Sequence, residues 1–202
     1  MNSKTKLPYY CSINGKTIYL PLMRLLKTVS FALLLFTISC TSAQEPKEIT
    51  TTKMSDKNPY YSRTDTTVLT VSDGDWKKVL PAEVYNIARN KGTEYAFSGK
   101  YWDFEGTGTY YCAVCGNALF KSDSKFGSSC GWPSFFETIR PNSAIYEEDN
   151  SYGMSRVEVM CGRCHSHLGH IFDDGPPPTG KRFCMNSLVL DFEPDSASIK
   201  GK

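Results

Sequence analysis

The sequence predicts a mainly β domain of short strands and tight turns, pinned by a four-cysteine zinc site. Aromatic residues make up 13% of the 202-residue chain, a composition that suits pleated, half-buried surfaces. Glycine and proline gather in the second half, where they punctuate short alternating or aromatic runs. Two Cys-x-x-Cys turns then offer the four thiolates of a tetrahedral metal site. The length accommodates one domain and an appendage. Lys and Arg number 23 against 21 Asp and Glu, a net charge of +2. That balance lacks the basic patch a nucleic-acid partner requires, so none is expected.

Residues 1–40 read as an N-terminal extension and secretion signal. Arg24 and Lys27 precede the apolar run 29–38, the charged and hydrophobic parts of an export signal. The run falls short of the about 20 residues that a membrane-spanning helix needs. Met23 makes the better start. Ser39-Cys40-Thr41 reads as a lipoprotein-type cleavage site, with Cys40 acylated and the chain anchored to a membrane. Cleavage after Ala43 is the alternative and gives a soluble secreted protein. Residues 41–71, rich in Thr, Ser, Lys and Asp, carry too little apolar surface to offset the entropy of ordering and read as a disordered tether.

The folded domain is expected over 72–195, followed by a short tail, 196–202. Ser72 or Asp75 caps a first turn; Pro81 opens a helix with apolar spacing of three and four through Arg89, and Lys91-Gly92 closes it. Strand-like runs follow at 108–112, 118–120, 156–161 and 183–192. Cys115-Gly116-Asn117 and the Gly- and Pro-rich segment 173–180 supply turns between them.

The cysteines organise the chemistry. Cys112 with Cys115, and Cys161 with Cys164, form two knuckles that can surround one Zn²⁺. Their wide separation suits a metal that ties two parts of a larger domain. Two disulfides are the alternative in an oxidising compartment. With Cys11 upstream of the export signal and Cys40 at the lipidation site, Cys130 and Cys184 remain. Period-two alternation over 183–192 places Cys184 and Asn186 on one face with Leu188 and Leu190. The adjacent Arg182 can lower a thiol pKa by proximity. A reactive pair, an inert buried thiol and a structural disulfide all fit Cys130 and Cys184 at this point. The three histidines cluster as His165, His167 and His170 beside the second knuckle. His165 reads as structural and the other two as site residues, with a second metal site as the alternative.

Five motifs together resemble the B-type peptide-methionine (R)-S-oxide reductases. They are Cys112-Ala113-Val114-Cys115-Gly116, Cys130-Gly131-Trp132-Pro133-Ser134-Phe135, Cys161-Gly162-Arg163-Cys164, His167-Leu168-Gly169-His170-Ile171-Phe172 and Arg182-Phe183-Cys184-Met185-Asn186-Ser187. The likeness spans about residues 73–193 and includes Gly92-Thr93-Glu94 and Phe97-Ser98-Gly99. It implies two antiparallel sheets with small peripheral helices and a structural zinc held by Cys112, Cys115, Cys161 and Cys164. It implies Cys184 as nucleophile and Cys130 as resolving cysteine. It also implies that Trp132 receives the substrate methyl group and that His167, His170 and Asn186, with Arg182 nearby, bind the sulfoxide. The implied substrate is oxidised methionine in proteins or peptides, and the implied reductant is a thioredoxin-like dithiol. Export would place the protein in the periplasm or on a membrane of a bacterium, with an exported reductant. Two rivals remain: a zinc-stabilised binding module without turnover, and a thiol-disulfide oxidoreductase acting on protein disulfides.

Overall fold

The computed structural model describes residues 57–196. The expectations for the secretion signal 1–40 and Cys40, for 41–56 of the tether and for 197–202 of the tail lie outside the described residues. Among the described residues no helix is long and apolar enough to cross a membrane.

Two short helices come first. Helix α1, Asp73–Val79, starts from Ser72, whose Oγ accepts the Asp75 N–H at 3.2 Å. Asp73 and Asp75 in its first turn and Lys77 and Lys78 in its last complement the helix dipole. Helix α2, Ala82–Asn90, begins after Pro81 and buries Ile87 and Ala88. It stops where Lys91 turns left-handed at φ 55°, and the Gly92 N–H closes on the Asn86 carbonyl at 3.1 Å.

Among the described residues nine strands follow: β1 Gly108–Cys112, β2 Ala118–Lys121, β3 Lys125–Phe126, β4 Ser134–Phe135, β5 Ala144–Asp149, β6 Arg156–Cys161, β7 His167–Phe172, β8 Arg182–Met185 and β9 Leu190–Pro194. They form a three-stranded sheet in the order β2-β1-β9 and a six-stranded sheet in the order β3-β4-β8-β7-β6-β5, every pairing antiparallel. Aromatic rings join the sheets. Phe120 of β2 stacks on Phe135 of β4 at 4.2 Å, and Tyr110 of β1 meets Phe135 edge-on at 4.9 Å. All three rings are fully buried, so this contact buries apolar surface from both sheets in one place. The mainly β reading, the two antiparallel sheets and the peripheral helices therefore hold.

The run 183–192 is not one strand. β8 ends at Met185, a tight 3-10 turn occupies Ser187–Val189, and β9 then enters the other sheet. The cause is Glu94, whose buried carboxylate accepts the N–H groups of Ser187 at 2.7 Å and Leu188 at 3.0 Å. Those amides would otherwise continue a ladder. Leu188 consequently points outward while Asn186 is buried, which breaks the common face that alternation assigned them.

The tether reading also fails over 57–71. The polar side chains there dock onto the domain instead of remaining solvated. Asn58 donates to the Val114 carbonyl at 2.9 Å, and the Tyr61 hydroxyl donates to Asp191 at 2.6 Å. The Ser62 N–H reaches the Cys115 carbonyl at 2.9 Å, and the Leu69 N–H reaches the Arg163 carbonyl at 2.7 Å. Composition signals disorder only when polar groups lack partners, and here the knuckles provide them.

Candidate active site

The two knuckles are hairpin turns, one from each sheet: Cys112 ends β1 and Cys161 ends β6. Their four Sγ atoms lie within 4.8 Å of one another and are buried. Cys112 and Cys164 sulfurs are 3.7 Å apart, and those of Cys115 and Cys161 are 3.6 Å apart. A tetrahedral ion with metal–sulfur bonds of about 2.3 Å sets its sulfurs about 3.8 Å apart, so the set fits such an ion. All four are free cysteines, as a shared metal site requires. Burial, and then the neighbouring sulfurs, push Cys112 well above an ordinary thiol, and a bound cation would favour the thiolate form. Arg163 bridges the two knuckles from behind. It donates to the Cys115 and Tyr60 carbonyls at 2.5 and 3.0 Å and pairs with Asp65 at 2.7 Å.

The other two cysteines meet at the six-stranded sheet. β8 pairs Cys184 with Ser134 of β4 and with His170 of β7. Gly169 makes that approach possible, since a Cβ there would lie 2.0 Å from the Cys184 carbonyl oxygen. Cys130 reaches the same place from the preceding loop, bringing its Sγ to 3.4 Å from that of Cys184. Burial alone would raise the Cys130 thiol, but the Ser128 hydroxyl at 2.9 Å and the Ser134 hydroxyl at 3.4 Å bring it down to about 7. Burial first, and then the charge and hydrogen bond of Cys130, push Cys184 up to about 12 against the lowering pull of Arg182. The first proton of the reduced pair therefore leaves Cys130. Iodoacetamide is expected to modify Cys130 with a midpoint near pH 7 and Cys184 only in the alkaline range. Peptide mapping across a pH series checks this, and preferential labelling of Cys184 at neutral pH would contradict it.

Cys184 opens onto a cleft of about 130 Å³ lined by Trp132, His170 and Asn186 with Thr93 and Arg156. A larger cavity of about 640 Å³ adjoins it, sharing Thr93, Arg156 and His170 and adding His167, Glu158 and Asp149. Trp132 is fixed by its indole N–H, which donates to the Glu94 carbonyl at 3.2 Å. The Asn186 side-chain oxygen accepts the Glu94 N–H at 3.1 Å, and its Nδ2 donates to the Leu168 carbonyl at 3.0 Å. One amide hydrogen of Asn186 is left over. The His170 Nε2 lies 2.7 Å from Asp149, which Arg156 also holds at 2.6 Å. Ser151, His170 and Arg156 keep that carboxyl well below the usual range.

The structure thus gathers Cys184, Cys130, Trp132, His170 and Asn186, with His167 in the adjoining cavity. His165 is exposed in the knuckle turn at φ 55°, its N–H on the Cys161 carbonyl at 2.9 Å. Arg182, expected to bind substrate, lines neither cavity. It forks onto Asp174 at 2.8 and 2.9 Å and lies over the Phe172 ring at 4.4 Å. It acts on Cys184 through its charge and a side-chain hydrogen bond, both of which lower the thiol. Thr93, Arg156, Asp149 and Glu158 were not anticipated as site residues. Glu158 did leave a signal: it is the lone acid in the apolar run Val157-Glu158-Val159-Met160.

Comparison with known proteins adds a family. Residues 80–194 match the SelR domain. The chain is 50% identical over 131 residues to a protein of Methanosarcina barkeri named peptide methionine sulfoxide reductase MsrB, an alignment covering 65% of this chain and 92% of that one. It is 50% identical over 123 residues to a protein of the same name from Thiobacillus denitrificans, covering 61% and 93% of the two chains. It is 49% identical over 123 residues to another from Agrobacterium fabrum, covering 61% and 91%.

Proposed function

Because this chain belongs to the SelR-domain family of methionine sulfoxide reductases, and is an oxidoreductase, we propose that it reduces methionine-R-sulfoxide in proteins or peptides through a cysteine sulfenic acid. The observation that carries the reading is the pair of sulfurs 3.4 Å apart, of which Cys184 faces the Trp132, His170 and Asn186 cleft. Cys184 is the nucleophile. As a thiolate it takes the sulfoxide oxygen: a sulfur–oxygen bond forms on Cys184, the one in the substrate breaks, and the electron pair left on substrate sulfur gives methionine. The oxygen acquires a proton in that step. When Cys130 is neutral its charge no longer pushes Cys184 up, and Arg182 then works against the remaining effect of burial to make the thiolate more accessible.

The sulfenic acid then condenses with the Cys130 thiol, releasing water and forming a disulfide. A thioredoxin-like dithiol reopens it by exchange. Trp132 offers the methyl group an apolar face to which sulfur is attracted. His167, His170 and the remaining amide hydrogen of Asn186 polarise the oxygen. Cys112, Cys115, Cys161 and Cys164 would hold a Zn²⁺ that supplies structure rather than chemistry, since four protein thiolates would leave a tetrahedral ion no open position. The charged and apolar segments before Cys40 support export and acylation at Cys40. The substrates would then be oxidised envelope proteins, and the reductant an exported one.

The deciding experiment is turnover of peptide methionine-R-sulfoxide and methionine-S-sulfoxide with a dithiol donor. Turnover of the R epimer alone is expected. Exchange of protein disulfides without any sulfoxide turnover would favour a disulfide oxidoreductase, and a folded, metal-loaded chain inert in both assays would favour a binding module.

A further inference from the structure

His167 is held from behind by groups to which no role has been given. Its Nδ1 lies 2.7 Å from Glu158 Oε1, and both side chains are 3% exposed or less. The second oxygen of Glu158 lies 2.6 Å from Lys91 Nζ, on a lysine that is 61% exposed. The other ring nitrogen, Nε2, is buried and has no protein partner, although the ring borders the larger cavity. The elements that meet here are separate: Glu158 comes from β6, His167 from β7, and Lys91 from the left-handed turn that ends α2. A buried nitrogen without a partner is costly in a folded core and points to a ligand atom.

We propose that Glu158 is a positioning residue for sulfoxide reduction: it holds His167 with a proton on Nδ1, so that Nε2 is the nitrogen that meets the sulfoxide oxygen, while Lys91 compensates the carboxylate. The inference rests on the functional reading above. A carboxylate paired with Lys91 can only accept, so the bond at 2.7 Å requires the Nδ1–H tautomer. In the imidazolium form Nε2–H donates its proton to the oxygen as the substrate bond breaks, leaving a neutral ring still anchored through Nδ1. The charged and titratable groups around His167 are Glu158 on β6, His170 on β7 and Lys91 after α2, with the Asp149–Arg156 pair lining the same cavity beyond His170. Burial lowers the ring below an ordinary histidine, Glu158 opposes that through its hydrogen bond and charge, and His170 and Lys91 add to the lowering.

The two partners of the arrangement should therefore move His167 in opposite directions. In the full chain, Glu158→Gln is expected to lower the His167 titration midpoint seen by histidine-ring NMR. It should also cut single-turnover methionine formation at neutral pH about tenfold, with KM little changed. Lys91→Met, at an exposed side chain, is expected to raise the midpoint. In a His167→Ala background, Glu158→Gln is expected to cost little more. Unchanged midpoints, shifts of the same sign, or an undiminished loss without His167 would overturn the assignment. Should Glu158→Gln not fold, the Lys91→Met titration decides alone, because no upward shift refutes the proposal. Wild-type turnover of the R epimer tests the functional reading separately, since the NMR shifts do not depend on it.

Discussion

Cys184→Ser is expected to abolish methionine formation, lowering the rate at least about a thousandfold, as loss of a covalent nucleophile does. Cys130→Ser is expected to behave differently. Cys184 keeps its place on the cleft, so one equivalent of methionine forms per chain and the reaction then stalls with a thioredoxin-type donor. The stall follows from the resolving step: the two sulfurs must close from 3.4 Å to about 2.05 Å, and a serine oxygen cannot form that bond. A small dithiol that attacks the sulfenic acid directly restores part of the turnover. Quench-flow measurement of the methionine burst, with mass analysis of the Cys130–Cys184 peptides, reads both results. Residual turnover in Cys184→Ser, or full turnover in Cys130→Ser with the protein donor, would refute the assignment of roles.

Stripping the metal is expected to unfold the domain. Structural zinc bound by thiolates contributes about 10–16 kcal/mol, comparable to the whole stability of a domain, about 5–15 kcal/mol. The location makes the dependence global. Cys112 ends a strand of one sheet and Cys161 a strand of the other, so without the ion four buried thiols would remain where the sheets join. Cys161→Ser, or a strong chelator, is expected to remove the cooperative thermal transition. Circular dichroism melts paired with metal analysis check this, and a native midpoint in the metal-free chain would contradict it.

The features legible in the sequence are those fixed by local chemistry. Cys-x-x-Cys spacing specifies a knuckle whatever surrounds it, and the aromatic and β-branched runs at 108–112 and 156–161 became β1 and β6. What escaped depends on groups distant along the chain. Nothing within 183–192 reveals that Glu94 will take the amides of Ser187 and Leu188. Likewise the polarity of 57–71 reads as solvation until Arg163 and the Cys115 carbonyl are seen to receive it. β5 and β7 were missed for a related reason. β5 carries Glu147, Glu148 and Asp149, and β7 is interrupted by glycine and two histidines, so neither resembles an ordinary strand although both are held in the same sheet.

The crossing from β8 to β9 constrains the length of the chain more than its composition. Cys184 belongs to a strand registered against β4 and β7, and Leu190 to one registered against β1. The 3-10 turn Ser187–Val189 joins them, with the Ser187 and Leu188 amides fixed on Glu94, so one residue added or removed between the strands would break that anchorage or strain one of the two registers. An insertion or deletion in this crossing would therefore displace the thiol while leaving every catalytic side chain present in the sequence.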